Sequence, residues 1–277
     1  MYTKSASATA TYVCPACKEA LVEQAGSLRC EACSQSYPVR NGIPEFIFEE
    51  LSRSQDPELR RMTAIDKMAR IYETRLWYPI VLAVYGGFGK TSLAGLIATV
   101  TRNVDQAEGR VLDVACGPGT YGRRIASPSR EVFGIDVSRG MLRQGAAYAA
   151  REGVANIHFA RARAETLPFP REFFDAAVCC GSLHLFSDTE VALREMARVM
   201  KPSAVLSVFT FTAGDAGILK YRRAREWSSK HGLHVFELAE LERLLDAAGF
   251  GRFAPEVSGS ILTFSARRKE TDLEKEG

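Results

Sequence analysis

The sequence predicts an α/β fold, a doubly wound and mostly parallel sheet, preceded by a small N-terminal domain of another kind. Two observations support this prediction. From Arg110 to Ala266, apolar strands alternate with amphipathic helices, a pattern typical of a sheet covered by helices on both faces. Of the seven cysteines, four form two Cys-x-x-Cys pairs within the first 33 residues, and such paired cysteines indicate a separate module.

The composition is that of an ordinary folded chain of 277 residues, with 46% hydrophobic and 25% charged residues. These values exclude wholesale disorder, and a net charge of +3 is too small to indicate nucleic-acid binding by itself. The segment from Met1 to Tyr12 lacks the apolar stretch of a secretory signal, and the longest apolar runs are too short to span a membrane. We therefore expect a cytoplasmic protein with reduced thiols.

The first segment, residues 1–48, predicts a zinc ribbon. Its ligands are the four cysteines of the two pairs, separated by twelve residues: Cys14, Cys17, Cys30 and Cys33. Two such knuckles on adjacent hairpins supply four sulfurs in a tetrahedron, the geometry of structural zinc. A redox Cys-x-x-Cys is the alternative, but it needs a strand–helix–strand context that this segment lacks. Because cysteine fills every ligand position, we expect a structural and not a catalytic Zn²⁺.

The charge of the ribbon bears on its partner. Residues 1–50 contain four basic and six acidic side chains, a net charge of −2. Zinc ribbons that bind RNA contact phosphates through lysine and arginine. The acidic balance therefore favours contact with protein, including the chain's own larger domain, over contact with nucleic acid.

Residues 49–108 predict a helical linker or substrate cap, because apolar residues recur at three- and four-residue spacing from Leu59 to Tyr72. The aromatic residues Tyr72, Trp77 and Tyr78 belong either to the core or to the roof of a substrate pocket. Gly89-Lys90-Thr91-Ser92 matches the end of a phosphate-binding loop, but the required earlier glycine is replaced by Val84 and no strand precedes it. ATP binding there is excluded.

Residues 109–270 predict the sheet domain, followed by a charged tail at residues 271–277. The expected strands lie at residues 111–115, 131–136, 157–160, 174–180, 204–211 and 260–266. The expected helices lie at residues 121–126, after Ser138, and at residues 190–200 and 240–248.

A glycine-rich turn follows the first of these strands. Residues 117–122 match Gly-x-Gly-x-x-Gly, and Asp136 ends the second strand nineteen residues after Gly117. This pattern alone also fits NAD or FAD. Asp113, inside the strand, argues against a dinucleotide, because a carboxylate there repels a pyrophosphate but can receive the ammonium group of an amino-acid ligand.

Four segments in order carry a family resemblance: Leu112–Gly119, Gly134–Ser138, Ala164–Phe169 and Leu193–Pro202. Together they resemble the class I S-adenosylmethionine (SAM)-dependent methyltransferases, which have a Rossmann-like fold, and most of all their quinone-biosynthesis-type small-molecule branch. With the cysteine-rich front included, the chain is similar to a group of plant and cyanobacterial methyltransferases. It is more loosely similar to the zinc-ribbon rRNA guanine methyltransferases.

The resemblance implies a SAM site of ten residues. Asp113 would face the ammonium group, Gly117 and Gly119 would let the backbone approach SAM, and Asp136 would accept both ribose hydroxyls. The remaining contacts would be to the adenine and to the methyl-donor pocket: Val137, Met141, Ala164 and Glu165 to the former, Gly181 and Ser182 to the latter. The family often has aspartate where this chain has Arg163, so either Glu165 or a backbone group holds the adenine amine, or that contact is lost.

The acceptor side is indicated by His184, just past the fourth strand of the sheet. Ligands bind at that end of a parallel sheet, so His184 is a candidate general base; a structural histidine is the alternative. His231, His234 and the Arg-rich segment 220–227 are expected in a lid over the site. That segment either meets an anionic ligand or forms a solvated helix face.

The sequence therefore predicts a SAM-dependent methyltransferase acting on a small-molecule acceptor, such as a specialised metabolite, with S-adenosylhomocysteine as the other product. Two further hypotheses stay open. One is an rRNA or tRNA base methyltransferase that uses the ribbon and the Arg-rich lid. The other is a SAM-binding protein that transfers no methyl group. Nucleic acid is the less favoured partner.

Overall fold

The computed structural model describes residues 11–48, 66, 92–212 and 234–270, and the elements and contacts of the chain are those of these residues alone. The small N-terminal part has four strands: β1 (Leu21–Gln24), β2 (Ser27–Cys30), β3 (Ser36–Arg40) and β4 (Ile43–Pro44). The larger part has five helices: α1 (Leu93–Val104), α2 (Gly122–Ile125), α3 (Arg139–Glu152), α4 (Thr189–Val199) and α5 (Leu238–Ala247). Its seven strands are β5 (Gly109–Val114), β6 (Arg130–Asp136), β7 (Ile157–Arg161), β8 (Phe174–Cys180), β9 (Met200–Phe211), β10 (Phe250–Ser258) and β11 (Ile261–Arg268).

The N-terminal part is a four-stranded antiparallel meander in the order β1-β2-β3-β4. Two-residue turns join β1 to β2 and β3 to β4. Asn41 and Gly42 have φ values of 53° and 77°, the left-handed pair that a tight hairpin needs. Asn41 and Gly42 thus form the tight turn between β3 and β4.

The larger part contains a seven-stranded mixed sheet in the order β10-β11-β9-β8-β5-β6-β7. The strands from β5 to β9 are parallel to one another. The sheet reverses direction of winding between β5 and β8, and such a switch point opens a crevice at the carboxyl ends of the strands. The α/β fold class with a Rossmann-like sheet is confirmed.

One edge of this sheet differs from the sequence prediction. The last predicted strand runs antiparallel to β9, and β10, which the pattern did not indicate, pairs with it along the outer edge. Most of β10 is exposed, and its pairing shifts register between Gly251 and Ala254. An edge strand with glycine, proline and no buried face lacks the apolar alternation by which strands are recognised.

Each face of the large sheet has its own apolar core. On one face, Leu96, Val100 and Val104 of α1 pack with buried residues of α2 and α3. On the other face, α4 and α5 pack on the sheet, and the same core continues into the ribbon through residues such as Tyr12 and Phe46. The ribbon therefore packs into the second core and shares it with the large sheet.

The ribbon lies against the β7 edge of the large sheet. Glu45, just after β4, forms a parallel bridge with Arg161, and the Phe46 N–H donates to the Arg161 carbonyl oxygen at 2.7 Å. The Val13 N–H donates to the Pro168 carbonyl oxygen at 3.0 Å. The ring of Tyr12 contacts the rings of Phe46 and Phe169 at centroid distances of 5.4 and 5.3 Å. The short segment at Glu45 thus lies alongside β7 and extends the large sheet beyond this edge strand.

Several predictions concern residues outside the described part. They are the aromatic group Tyr72, Trp77 and Tyr78, the Arg-rich segment 220–227, His231 and the tail at residues 271–277. Most of the expected linker 49–108 also lies outside it. Within that range the structure describes residue 66 and residues 92–108, so the role of a linker or substrate cap stays a prediction. Among the described helices, none has the length and apolar character needed to cross a bilayer.

Candidate functional site

The candidate site lies at the carboxyl ends of β5, β6, β7 and β8, where four loops meet. The loop after β5 is the glycine-rich turn, in which Ala115, Gly117 and Gly119 have φ values of 53°, 55° and 71°. A Cβ on Gly119 would lie 3.0 Å from the ring carbons of Phe159. Glycine is therefore required there both by the backbone conformation and by the space available. At the glycines of this turn no side chain covers the backbone, so a ligand can approach it at the carboxyl ends of the strands.

Asp136 ends β6 and faces this turn. Its Oδ2 accepts a hydrogen bond from the Gly117 N–H at 2.8 Å, and its Oδ1 accepts one from the Ser138 N–H at 2.8 Å. Burial raises the pKa of Asp136 to about 6, and the hydrogen bonds from Ser138 and Gly117 oppose that rise. A carboxylate fixed in this way at a strand end retains lone pairs for two adjacent hydroxyls.

The structure places Asp113 below the turn. The side chain is 1% exposed, and its Oδ2 accepts a hydrogen bond from the Gly122 N–H at 2.9 Å, at the start of α2. Burial raises the pKa of Asp113 to about 7. In this arrangement the carboxylate contacts the first turn of α2 directly, and its predicted contact with an ammonium group stays a prediction.

The loops after β6 and β7 contain the residues expected around the adenine. Met141, in the first turn of α3, is buried, and Ser138 caps this helix by accepting from the Met141 N–H at 3.0 Å. Ala164 and Glu165 form a short 3₁₀ turn after β7. Arg163 lies beside Glu165, with its Nε 3.4 Å from Oε2. The arginine that departs from the family pattern therefore pairs with the glutamate expected to compensate for it.

Asp66 was not singled out by the sequence analysis. Its Oδ1 accepts hydrogen bonds from Ser138 Oγ at 2.6 Å and from the Gly140 N–H at 2.8 Å. It thus joins the middle segment of the chain to the N-terminus of α3, beside the loop that follows Asp136. No spacing rule in the sequence links residue 66 to residue 138.

The loop after β8 brings the remaining predicted residues to the same edge. Ser182 Oγ donates to the Ala115 carbonyl oxygen at 3.3 Å, and the Gly181 N–H donates to the Phe209 carbonyl oxygen at 2.7 Å. The ten predicted SAM residues therefore lie around the cleft expected at the switch point: in β5, at the end of β6, in the loops after β5 to β8 and in the first turn of α3. No contact with a ligand tests their roles.

His184 lies on the β9 side of this cleft and is 8% exposed. Its Nδ1 is 3.3 Å from Thr210 Oγ1, and its ring meets that of Phe211 edge-on at a centroid distance of 4.8 Å. The His184 carbonyl oxygen accepts from the His234 N–H at 2.8 Å. Burial lowers the pKa of His184 to about 4, so the imidazole is neutral at physiological pH.

The four cysteine sulfurs of the ribbon lie within 4.8 Å of one another, close enough to hold one metal ion. The Cys14–Cys33 and Cys17–Cys30 sulfur pairs are 3.6 and 3.4 Å apart. A Zn–S bond of about 2.3 Å in a tetrahedron places sulfurs roughly 3.8 Å apart, so the residues fit zinc. Tyr37 Oη lies 3.1 Å from Cys14 Sγ. Burial raises the pKa of Cys14, but hydrogen bonds from Tyr37, Cys17 and Ala16 outweigh it and lower the value to about 6.

Two segments of the chain match known protein families. A family model described as "Methyltransferase domain" matches residues 111–203, which include β5 through the start of β9. Residues 111–203 therefore match a methyltransferase domain. A second model, "Trm112p-like protein", matches residues 12–42, the segment with the four cysteines.

Two curated relatives support this assignment. The uncharacterized methyltransferase YcgJ of Bacillus subtilis is 38% identical over 96 residues, which are 35% of this chain and 38% of that protein. A ubiquinone/menaquinone biosynthesis C-methyltransferase, UbiE of Ectopseudomonas mendocina, is 41% identical over 107 residues, 37% of this chain and 42% of that protein. The chain therefore spans less than half the length of the curated relatives it matches.

Three solved structures share the fold at low sequence identity. Phosphoethanolamine N-methyltransferase 2 of Haemonchus contortus, in complex with SAM, has a TM-score of 0.60 at 17% identity, covering 79% of this chain and 59% of that one. The [4+2]-cyclase SpnF has a TM-score of 0.59 at 22% identity, covering 74% and 96%. A complex of the Haloferax volcanii Trm112 methyltransferase activator with a methyltransferase has a TM-score of 0.58 at 16% identity, covering 76% and 97%.

Proposed function

We propose that this protein transfers a methyl group from SAM to a small-molecule acceptor with a flat, apolar ring. The donor side of the proposal rests on the glycine-rich turn and on Asp136, whose carboxylate is held 2.8 Å from the Gly117 N–H. When bound, SAM would supply a methyl group on a sulfonium sulfur. Asp136 would bind the ribose hydroxyls, and the loops after β6 and β7 would enclose the adenine.

The observation that supports a small-molecule acceptor best is the aromatic wall beside His184. The Phe209 ring lies 3.4 Å from the position that a Cβ on Gly181 would take, and its centroid is 5.3 Å from that of Phe211. Phe211 in turn contacts His184. This wall connects Gly181 of the predicted donor pocket with the candidate base. Phe209 and His184 are buried and Phe211 is partly exposed, so a planar acceptor would pack against Phe211. The quinone-pathway name of the UbiE relatives agrees with such an acceptor.

For this methyl transfer, the protein mainly has to position SAM and the acceptor and to accept a proton. The methyl–sulfur bond breaks as the methyl–acceptor bond forms, and the sulfonium becomes a neutral thioether. An acidic O–H or C–H of the acceptor would give its proton to the neutral imidazole of His184. Thr210, with its hydroxyl near Nδ1, would set the orientation of that ring. Removal of water from the cleft strengthens this arrangement.

The ribbon would serve as a structural zinc module that activates its own methyltransferase domain. In the Haloferax complex an activator named Trm112 accompanies a methyltransferase, whereas here the Trm112-like segment and the methyltransferase segment belong to one chain. Lys18 of the ribbon pairs with Glu195 of α4 at 2.9 Å and also donates to the Leu167 carbonyl oxygen. A zinc–thiolate cage needs reduced cysteines, which supports a cytoplasmic location.

Methylation of a tRNA or rRNA base is the second candidate, favoured by the Trm112-like ribbon in front of a methyltransferase domain. RNA binding would depend steeply on salt, because each phosphate contact releases counterions. The acidic balance of the ribbon weighs against it.

The test is a transfer assay with methyl-labelled SAM, run in parallel against a small-molecule extract and total RNA of the host. Label in the extract alone supports the proposal, whereas label in RNA alone replaces it with the second candidate. SAM binding measured by calorimetry without transfer to either pool would favour a SAM-binding protein that does not methylate. Absence of SAM binding would overturn all three readings.

A further inference from the structure

Three charged side chains join the ribbon to the sheet domain: Glu45, Arg139 and Arg161. Arg139 donates from Nε to Glu45 Oε1 at 2.8 Å and from Nη2 to Oε2 at 2.6 Å, a bidentate pair. Arg161 Nη1 lies 3.9 Å from the same Oε2. The Glu45 and Arg161 side chains are 5% and 1% exposed. This cluster is the most buried group of charges that connects the two parts of the described chain.

The two arginines belong to the loops of the proposed SAM site. Arg139 is the first residue of α3 and follows Val137 and Ser138 directly, while Arg161 ends β7 just before the Ala164–Glu165 turn. Arg161 Nε also donates to the Val137 carbonyl oxygen at 2.9 Å. One carboxylate from the ribbon therefore faces the bases of both loops that would enclose adenosine.

The ribbon also binds the other side of Arg161. Its Nη1 donates to the Ile47 carbonyl oxygen at 2.8 Å, and its backbone carbonyl accepts from the Phe46 N–H. A buried guanidinium is stable only when its charge is balanced and its donors are used. Without the Glu45 carboxylate, Arg139, Arg161 and the exposed Arg40, whose Nε is 3.9 Å from Glu45 Oε2, would lose a shared counter-charge. In this poorly solvated site, that loss favours movement of the Arg161 side chain away from Val137 toward water.

We propose that Glu45 is a positioning residue for cofactor binding, holding the loops after β6 and β7 through Arg139 and Arg161 in the conformation that receives the adenosine of SAM. This inference rests on the proposed SAM site. It assigns to the ribbon a specific influence on the affinity of the methyltransferase domain for its donor, beyond its contribution to the shared core.

The test compares Glu45→Gln with the wild type in binding S-adenosylhomocysteine, which cannot be turned over, by calorimetry on the full chain. Site-to-site coupling in proteins commonly amounts to a factor of about 5 or more, so we expect at least about a fivefold loss of affinity. The matched control is Glu172→Gln. Glu172 pairs with the buried Arg268 at 3.3 Å, near the amino ends of the strands, and its substitution should leave affinity unchanged.

A second set of variants separates positioning from general destabilisation. Arg139→Met should weaken binding as Glu45→Gln does, and the double variant should be little worse than either single one, because all three remove the same interaction. Arg139→Lys, which keeps the charge and loses the bidentate fork, should fall between Arg139→Met and the wild type. Circular dichroism establishes that each variant is folded at the assay temperature; if Glu45→Gln is not, the Arg139 pair provides the test.

Two results are decisive against the inference. Folded Glu45→Gln or Arg139→Met protein with wild-type affinity would overturn it while leaving the proposed function intact. Additive losses in the double variant would also overturn it, because the two residues would then act independently. Wild-type protein that binds no S-adenosylhomocysteine would instead refute the proposed function, and the inference with it.

Discussion

At the residue scale, backbone groups of the protein itself hold the Asp136 carboxylate in place. Asp136 uses one carboxylate oxygen to hold the Gly117 N–H and the other to hold the Ser138 N–H. These bonds fix the carboxylate between the glycine-rich turn and the start of α3. Preorganisation of this kind reduces the entropic cost of binding, so the loss of this one side chain should be felt in affinity more than in the fold.

Asp136→Ala should weaken SAM binding by at least about tenfold, since two hydroxyl contacts and two loop contacts disappear with the carboxylate. Calorimetry measures the dissociation constant. Asp175→Asn is the control, because Asp175 also accepts a backbone N–H, that of Arg110, but lies near the amino end of its strand. Equal affinities of folded Asp136→Ala and wild-type protein would exclude the assigned role.

His184 gives a pH dependence of stability with a defined sign. Burial lowers its pKa from 6.5 to about 4, so between these values the unfolded chain binds a proton that the folded chain does not. The contribution of His184 is thus complete above about pH 6.5 and is lost as the pH falls toward 4. The raised pKa values of Asp113 and Asp136 act in the opposite direction, so the difference between wild type and His184→Gln isolates the histidine.

Urea unfolding of both proteins from pH 4 to 8 measures this difference. We expect the wild type to lose unfolding free energy relative to His184→Gln as the pH falls through that window.

In the transfer assay, His184→Gln should lower kcat by about 10²–10⁴, the usual range for a general base, with SAM affinity unchanged. A variant with full kcat would assign His184 a structural role only.

At the element scale, the glycine-rich turn is constrained by what lies beneath it. Gly119 and Gly153 both have left-handed φ values, 71° and 72°. A Cβ on Gly119 would meet the Phe159 ring at 3.0 Å, whereas a Cβ on Gly153 would meet nothing within 4 Å. The two positions therefore separate the cost of backbone strain from the cost of crowding.

Gly153→Ala should cost about 1 kcal/mol through backbone strain alone. Gly119→Ala should cost that amount and about 1–3 kcal/mol more through overpacking, and it should weaken SAM binding because the turn must shift. Denaturant unfolding gives both values. Equal costs at the two positions would show that Phe159 moves aside freely.

The elements themselves were largely predictable. Strands β5, β6, β7 and β8 have buried apolar residues at their centres, so each appears in the sequence as an apolar run. The helical segments between these runs predict a parallel sheet. The strand β10 was missed because its residues are mostly exposed and include Pro255, so local pattern does not distinguish it from a loop. Its pairing with β11 is decided by the tertiary structure.

At the scale of the whole molecule, the ribbon and the methyltransferase domain share one core. Leu21, Leu28 and Tyr37 of the ribbon belong to the same buried cluster as Phe169 and Leu193. A zinc ion held by the four cysteines would contribute a large part of the folding free energy of such a small module. Metal loss should therefore reach beyond the ribbon.

Removal of zinc by a chelator should lower the melting temperature of the whole chain by about 5–10 °C, since each kcal/mol lost corresponds to roughly 2–4 °C in a protein of this size. Scanning calorimetry measures the shift, and added zinc should reverse it. Cys30→Ser protein should melt low with or without chelator. A main transition that chelator leaves in place would mean that the domain is stable without the ribbon.

The candidate site was predictable in its motifs and not in its long-range partners. The four cysteines and the glycine-rich turn have fixed spacing, which the sequence displays directly. Glu45 and Arg161 are far apart in the chain, and nothing near Glu45 distinguishes it from other surface glutamates. Their pairing arises only when the ribbon reaches the β7 edge, so it depends on the assembled structure.

The parallel bridge between Glu45 and Arg161 has a consequence for synthesis. The ribbon is translated before the strand it covers, because β5 and β6 lie between them in the chain. Until β7 is made, the ribbon lacks the strand against which it packs. Once β7 forms, the open edge of β7 can pair with strands of other chains. Docking of the ribbon closes that edge. A chain starved of zinc during translation should therefore aggregate, whereas one that loses zinc after folding should remain soluble for longer.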